Sequence, residues 1–167
     1  LESLRPSAAL ARAAREALGT GVVQGERLAP AEILARTRRL YDFVRRSIKA
    51  GGSLFERASG TLARREGNRV GLLLALLREA QVPCELWLVR PLSTAVLEGP
   101  LPDVEAFGEP LIAVGPGQGA GGGPLLFLDP VHRHEPAGLV RPGLRGAKAL
   151  RLWSSQEAPA ALIQAAL

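Results

Sequence analysis

The sequence of 167 residues is 47% hydrophobic, which provides one sizeable core and leaves little room for a second full domain. Its basic excess is almost all arginine, 19 Arg against 2 Lys. It lies in residues 1–78, which hold 15 basic and 7 acidic side chains, whereas residues 79–167 hold 6 and 9. Because aromatic residues make up only 4%, few stacking platforms separate the arginines, so a solvated arginine-rich helix face is expected and nucleic acid is not an expected partner.

The single cysteine and the apolar runs set further limits. Cys84 has no second cysteine to pair with, so no internal disulfide is possible and the redox compartment stays undetermined. The longest apolar run, Val70–Leu77, is far shorter than the roughly 18 residues of a membrane span, so no span is expected. The chain begins at Leu1 and not at Met, and we expect it to be a piece of a longer protein.

Four helices are predicted in the first half of the chain. Ser7 can cap the first helix, and Gly19 with Gly21 can end it. The second begins near Pro30, with a proline in the first turn. The fourth begins near Asn68 and has apolar residues on nearly every side, which is typical of a central buried helix. The predicted bounds are residues 7–18, 30–49, 58–65 and 68–80.

After Pro83 the apolar pattern changes to that of strands separated by loops rich in Gly and Pro. Helices followed by a run of strands predict an α+β fold, with an antiparallel sheet packed on the central helix. A C-terminal helix rich in Ala and Leu is predicted from about Ser155. The predicted strands are residues 84–89, 111–114, 125–128 and 149–153.

The glycine-rich segment 115–123 contains a formal G-x-G-x-x-G at Gly117, Gly119 and Gly122. A dinucleotide site needs a helix after this motif, so that the helix N-terminus receives the pyrophosphate. Here a predicted strand follows within three residues. The segment is therefore interpreted as a hairpin connection, and no cofactor is expected.

Cys84, His132 and His134 are the residues with chemistry of their own. The two histidines could begin a metal site with Glu135, but such a site needs three or four ligands, so loop histidines are the better interpretation. Cys84 could act as a nucleophile with one of these histidines as its base. It follows Pro83 at the start of an apolar strand, which favours a buried structural thiol.

Three segments in fixed order resemble bacterial transglutaminase-like domains, relatives of the papain-like cysteine hydrolases. They are residues 66–83 (EGNRVGLLLALLREAQVP), 107–114 (FGEPLIAV) and 126–130 (LFLDP), within a resemblance that covers about residues 32–152. In that family a cysteine begins the central helix, one strand supplies a histidine and another an aspartate. The helix N-terminus stabilises the thiolate, and the aspartate orients the imidazole.

The catalytic positions that the resemblance implies depart from the family pattern. An ungapped alignment of the central helix places Glu66 at the cysteine position, and an alignment on Gly67-Asn68 places Arg69 there. Glu109 stands at the histidine position, and Asp129 alone is retained. Without thiolate and imidazole the family mechanism is impossible. The resemblance therefore implies an acidic, degenerate cleft containing Glu66 or Arg69, Glu109 and Asp129.

The resemblance divides the chain into an N-terminal helical extension (1–29), a transglutaminase-like domain (30–153) and the C-terminal helix (154–167). It implies a catalytically inactive domain that binds a protein partner or supports neighbouring domains of a larger protein. The alternative is a hydrolase or metal-binding domain that uses the carboxylates of the cleft, since clustered carboxylates shift a pKa or bind a hard cation. The family is typically extracytoplasmic, whereas the residues themselves indicate no compartment.

Overall fold

The N-terminal half folds into helices where local sequence signals predict them. The computed structural model describes residues 7–19, 28–53, 56–93, 106–115, 126–155 and 161–164. Helix α1 (Ala8–Leu18) is capped by Ser7, whose side chain accepts a hydrogen bond from the Leu10 amide at 3.2 Å, and it ends at Gly19 in the left-handed conformation. Both predicted ends of this helix are confirmed, because caps depend on residues adjacent in sequence.

Helix α2 (Pro30–Ser47) ends two residues earlier than predicted. Lys49 and Ala50 form a short strand, β1, which pairs in parallel with β2 (Glu66–Gly67). In the sequence, helix α3 (Ala58–Arg64) lies between these two strands. The pairing of β1 draws Lys49 out of the helix, which local propensity cannot anticipate.

Several arginines of α2 bind backbone carbonyls of other elements. Arg36 donates to the Ala80 carbonyl at 3.0 Å, Arg39 to the Leu18 carbonyl and Arg45 to the Glu135 carbonyl at 3.0 Å. Arginine near a helix end satisfies carbonyls that have no partner within the helix. On this helix face Arg38, Arg39 and Arg46 are exposed, as expected for a solvated face, whereas Arg36 and Arg45 are half-buried.

Helix α4 (Arg69–Glu79) is the predicted central helix. Every residue from Arg69 to Leu77 is buried, and the helix packs against α1, α2, α3 and the sheet. Helix α1 contributes Leu10, Ala14 and Leu18 to the same core.

The second half forms a five-stranded antiparallel sheet, which confirms the α+β class. The strand order is β5-β4-β3-β6-β7, with β3 in the centre. Leu86 of β3 is opposite Ile112 of β4, which is opposite Leu128 of β5. The strands are β3 (Cys84–Val89), β4 (Glu109–Val114), β5 (Leu126–Leu128), β6 (Lys148–Ser154) and β7 (Ala161–Gln164).

Alternating residues of the central strands serve two cores. Leu86, Ile112 and Leu128 face the helices. Trp87 and Leu111 face a second cluster, which is covered by residues 140–147 with a short 3₁₀ helix, Pro142–Leu144. Burial on both faces explains why Leu86–Val89 of β3 reads as a continuous apolar run and not as an alternating one.

The predicted C-terminal helix is wrong where the structure describes that region. Ala161–Gln164 is strand β7, paired antiparallel with β6 so that Leu162 is opposite Leu150. Its composition favours a helix, but pairing with an available sheet edge outweighs so weak a preference. Most of the predicted glycine-rich hairpin, from residue 116 on, lies outside the described residues. In the described ranges, no helix combines the length and apolarity needed to cross a membrane.

Candidate functional site

Asp129, at the end of β5, is the centre of a polar network. Only 1% of its side chain is exposed. Arg141 Nε donates to Asp129 Oδ2 at 2.9 Å, and Arg141 Nη2 donates to Glu109 Oε2 at 2.7 Å. One guanidinium therefore joins two of the positions that the resemblance implies. Burial acts to lower the pKa of Arg141, but the hydrogen bonds and charges of Glu109 and Asp129 together outweigh it, so the pKa is raised.

His132 also belongs to this network. Its amide donates to Asp129 Oδ1 at 3.2 Å, and its Nδ1 lies 3.0 Å from both carboxylate oxygens of Asp129. His134 is exposed, and both histidines lie in the loop after β5, as predicted. In the described ranges, no group of three or more His, Cys, Asp or Glu side chains could hold a metal ion.

Tyr41 fixes the same loop from helix α2. Its hydroxyl lies 2.9 Å from the Asp129 carbonyl and 2.8 Å from the Glu135 carbonyl, and the residue is 1% exposed. Burial, followed by the charge of Asp129, raises the pKa of Tyr41 to about 12. The neutral phenol is thus held against two acceptors, and the loop that carries His132 is tied to the helical layer.

Glu66 does not join the other predicted positions. It is exposed in β2, and its Oε1 lies 3.1 Å from Lys49 Nζ on the neighbouring strand. Exposed pairs of this kind contribute little to stability. Of the two alternatives for the cysteine position, Arg69 is the one that begins helix α4.

Arg69 is buried at the N-terminus of α4, with 6% of its surface exposed. Its Nε donates to the Ile48 carbonyl at 2.8 Å, and its Nη2 binds the same oxygen. Burial, then the positive charge of Arg133, lowers the pKa of Arg69. The guanidinium thus connects the start of α4 to the end of α2.

A cleft of about 290 Å³ opens at this helix N-terminus. Arg69 and Val70 line it from the helix, and Gly108 and Pro110 line it from the start of β4. Glu109 lies between Gly108 and Pro110 in the sequence. Because side chains alternate along a strand, its side chain points away from the cleft and binds Arg141. The remaining lining residues are Ala50, Gly51, Gly52, Gly67, Asn68 and Val131.

The predicted acidic character of the cleft is wrong. Arg69 is its charged lining residue, and no carboxylate contributes to the lining within the described part of the chain. Glu109 and Asp129 are brought together, but by Arg141 and outside this lining. Sequence spacing could not identify Arg141, since its partners are 12 and 32 residues away.

Asn68 caps α4 at the edge of the cleft. Its side-chain oxygen accepts from the Gly71 amide at 3.0 Å, while its own amide donates to Thr61 Oγ1 and Glu56 Oε2 at 3.2 Å each. These contacts fix where the helix begins. The cap satisfies one of the amides that every helix N-terminus leaves without an intrahelical acceptor.

Asn68→Ala is expected to lower the free energy of unfolding by about 1–2 kcal/mol, because the buried amide of Gly71 loses its acceptor. Urea denaturation followed by circular dichroism measures this change. Asn68→Ser retains a capping oxygen and serves as the control, with an expected loss of less than half as much. Equal losses in the two variants would contradict a capping role for the side chain.

Cys84 lies outside this cleft. It begins β3, is 1% exposed, and its amide donates to Ser155 Oγ at 2.9 Å. Burial raises the pKa of its thiol to about 12, and the hydrogen bond with Ser155 offsets only part of this rise. A buried, protonated thiol is neither a nucleophile nor a metal ligand at neutral pH, so the predicted structural role agrees with its position.

Comparison of the sequence with models of known families gave no match, and comparisons with curated proteins and with solved structures gave none either. The function is therefore inferred from the contacts around the cleft and from the resemblance of the three sequence segments.

Proposed function

We propose that this chain is a catalytically inactive transglutaminase-like domain that binds a segment of a protein partner, or of a neighbouring domain in the same chain, in the cleft at the start of α4. The observation that carries the proposal is the composition of the cleft. Its described lining holds an arginine where the family places a nucleophile, and neither a thiol nor an imidazole. Acyl transfer by the family mechanism requires both.

The shape of the cleft suits an extended peptide. Gly51, Gly52 and Gly108 are exposed along its wall, and glycine lets another backbone approach closely because it has no Cβ. A volume of about 290 Å³ lies at the lower end of ligand pockets. It accommodates one or two side chains of a bound segment and not a large cofactor.

The alternative is a hydrolase or metal-binding domain using clustered carboxylates. Glu109 and Asp129 do converge, which is the observation in its favour. Arg141 pairs with both, however, and a carboxylate paired with a guanidinium is a weak base and a poor ligand for a cation. We therefore regard this network as structural.

Two measurements test the proposal. With a glutamine peptide and an amine donor, or with a peptide substrate, the purified protein is expected to give no turnover above that of the Cys84→Ala variant. Peptides selected from a displayed library are expected to bind the wild type and to lose at least tenfold in affinity for Gly108→Leu, because the new side chain occupies the wall of the cleft.

Gly143→Leu is the matched control for the binding experiment. A Cβ added at Gly108 or at Gly143 meets no atom within 4 Å, and neither glycine has a positive φ, so both positions have room for the start of a side chain. Gly143 lies in the 3₁₀ helix and does not line the cleft. Turnover that depends on Cys84, or equal peptide affinity in both leucine variants, would refute the proposed function.

A further inference from the structure

We infer that a groove between α1 and α3 is a second binding site, which takes an acidic segment of a protein partner and buries one of its large apolar side chains. This α1–α3 groove has a volume of about 390 Å³ and is lined by α1, by the C-terminal end of α2 and by α3. It shares no described lining residue with the cleft at the start of α4. The inference is therefore independent of the proposed function.

The floor of the α1–α3 groove is apolar. Phe43 of α2 and Leu62 of α3 line it, and both are half-buried and pack against the helical core. Ala13 of α1 is buried, whereas Ala9 and Ala63 are exposed parts of the lining. Because alanine side chains are short, they leave the groove open. A large apolar side chain seated there removes the exposed parts of Phe43 and Leu62 from water, which favours binding.

Two guanidiniums make the lining basic. Arg12 belongs to α1 and Arg65 follows the last residue of α3, and both are exposed. Neither forms an ion pair within the part of the chain that the structure describes. Glu16 also lines the groove, so the lining carries two positive charges against one negative charge. A segment with an excess of carboxylates therefore complements the lining.

The surface around the groove extends this positive charge. The helical half of the chain holds its whole basic excess. Arg57, at the start of α3, is exposed and likewise forms no ion pair with a described residue, whereas Arg64 is paired with Glu56. A surface potential of one sign speeds the approach of a partner of opposite charge and fixes its orientation. An acidic segment is thus the occupant that the charge selects.

The backbone of Arg65 gives an independent reason to assign a role to its side chain. Arg65 is the C-cap of α3, with a φ of 55° and a ψ of 25°, in the left-handed region. Glycine usually ends helices in this conformation, because a Cβ is unfavourable there. Arginine therefore carries a conformational cost that glycine would not. Among the described residues its guanidinium has no hydrogen bond or ion pair that offsets this cost, whereas a carboxylate of a partner offsets it.

The lining favours a peptide over a nucleic acid. Single-stranded nucleic acids bind through rows of basic side chains and aromatic rings on which successive bases stack. Phe43 is the one aromatic residue of the described lining, and it lies half-buried in the floor. Ser47 and Ser59 also line the groove, and their hydroxyls can donate to and accept from a peptide backbone. A volume of about 390 Å³ suits one large side chain with its neighbouring backbone.

Titration of the full chain with short peptides tests the inference. The probe is acetyl-Glu-Glu-Phe-Glu-Glu-amide. One reference peptide has glutamine in place of each glutamate, and the other has serine in place of phenylalanine. Shifts of the backbone amide signals of Ala13, Leu62 and Ala63 report binding in the groove. The probe is expected to bind about tenfold more tightly than either reference, with an affinity that falls as the salt concentration rises.

Substitutions at the two arginines give the second arm. Arg12→Gln and Arg65→Gly are each expected to weaken binding of the probe by about twofold to fivefold, and the double variant by about tenfold. Because glycine suits the left-handed backbone, Arg65→Gly is expected to be at least as stable to urea as the wild type. A loss of affinity without a loss of stability separates binding from folding. Exposed Arg38→Gln, outside the groove on α2, is the control and leaves affinity unchanged.

Several results would overturn the inference. They are equal affinity for the probe and either reference peptide, unchanged affinity in the double variant, and no shift of the groove signals at about 1 mM probe. Single-stranded oligothymidine that binds more tightly than the probe, and loses affinity in the same double variant, would make the groove a nucleic-acid site instead. None of these outcomes bears on the cleft, which the Gly108→Leu variant tests separately.

Discussion

Raising the pH from about 9 to 12 is expected to unfold this protein through two buried neutral acids. The pKa of Cys84 rises from 9.0 to about 12 and that of Tyr41 from 10.0 to about 12. In each case burial disfavours the charged form. Linkage gives roughly 4 kcal/mol of lost stability for Cys84 and about 3 kcal/mol for Tyr41, as upper figures for the whole interval.

The sign follows from which state releases its proton first. Because both folded pKa values are raised, the unfolded chain ionises at lower pH than the folded one. The stabilising contribution is therefore fully present below pH 9 for Cys84 and below pH 10 for Tyr41. It is lost progressively as the pH rises towards 12. Ionised Tyr41 would also place a phenolate against the carbonyls of Asp129 and Glu135.

Denaturant midpoints measured between pH 8 and pH 12 check this expectation. Cys84→Ala is expected to remove the part of the decline that begins near pH 9, and Tyr41→Phe the part that begins near pH 10. At pH 7 Tyr41→Phe costs about 1 kcal/mol for the lost hydrogen bond. Slopes in the two variants as steep as that of the wild type would show that other groups control alkaline unfolding.

Arg141→Ala is expected to cost about 2–3 kcal/mol of stability, because it leaves the carboxylate of Asp129 buried without its cation. The contact of Asp129 with His132 remains, and 27% of the Arg141 side chain is exposed. Both facts keep the expected loss below that of a fully buried pair. Urea denaturation at pH 7 measures the change in the free energy of unfolding.

Two comparisons isolate the charge effect. Arg145→Ala removes a nearby arginine that donates to the Val140 carbonyl, and it is expected to cost less than about 1 kcal/mol. In an Asp129→Asn background the buried charge is absent, so Arg141→Ala is expected to cost much less than in the wild type. Equal costs in the two backgrounds would mean that Arg141 acts by packing alone.

The features that sequence predicted correctly are local ones. Ser7, Gly19 and Asn68 set helix ends through contacts within three or four residues, so their patterns can be read along the chain. The apolar residues of α4 and β3 likewise show their burial directly. Gly51 and Gly52 line the cleft, a role that their position after α2 does not indicate in the sequence.

The features that sequence missed depend on distant partners. β7 forms because the edge of β6 is available, and Arg141 gains its role from Asp129 and Glu109. The sequence does not determine which face of the sheet carries the Glu109 side chain, because a shift of one residue in the strand register reverses the face. Here the side chain lies on the face of Arg141, which left the predicted acidic cleft without its acids.

The central position of β3 has a consequence for the smallest stable form of the chain. Its two neighbours are β4 and β6. Ser155 forms hydrogen bonds with both the amide and the carbonyl of Cys84, the first residue of β3. Truncation before Lys148 would turn an apolar, doubly buried strand into a bare edge, which invites aggregation. A fragment that is to stay monomeric in solution must therefore extend through Ser155, even though the described lining of the cleft ends at Val131.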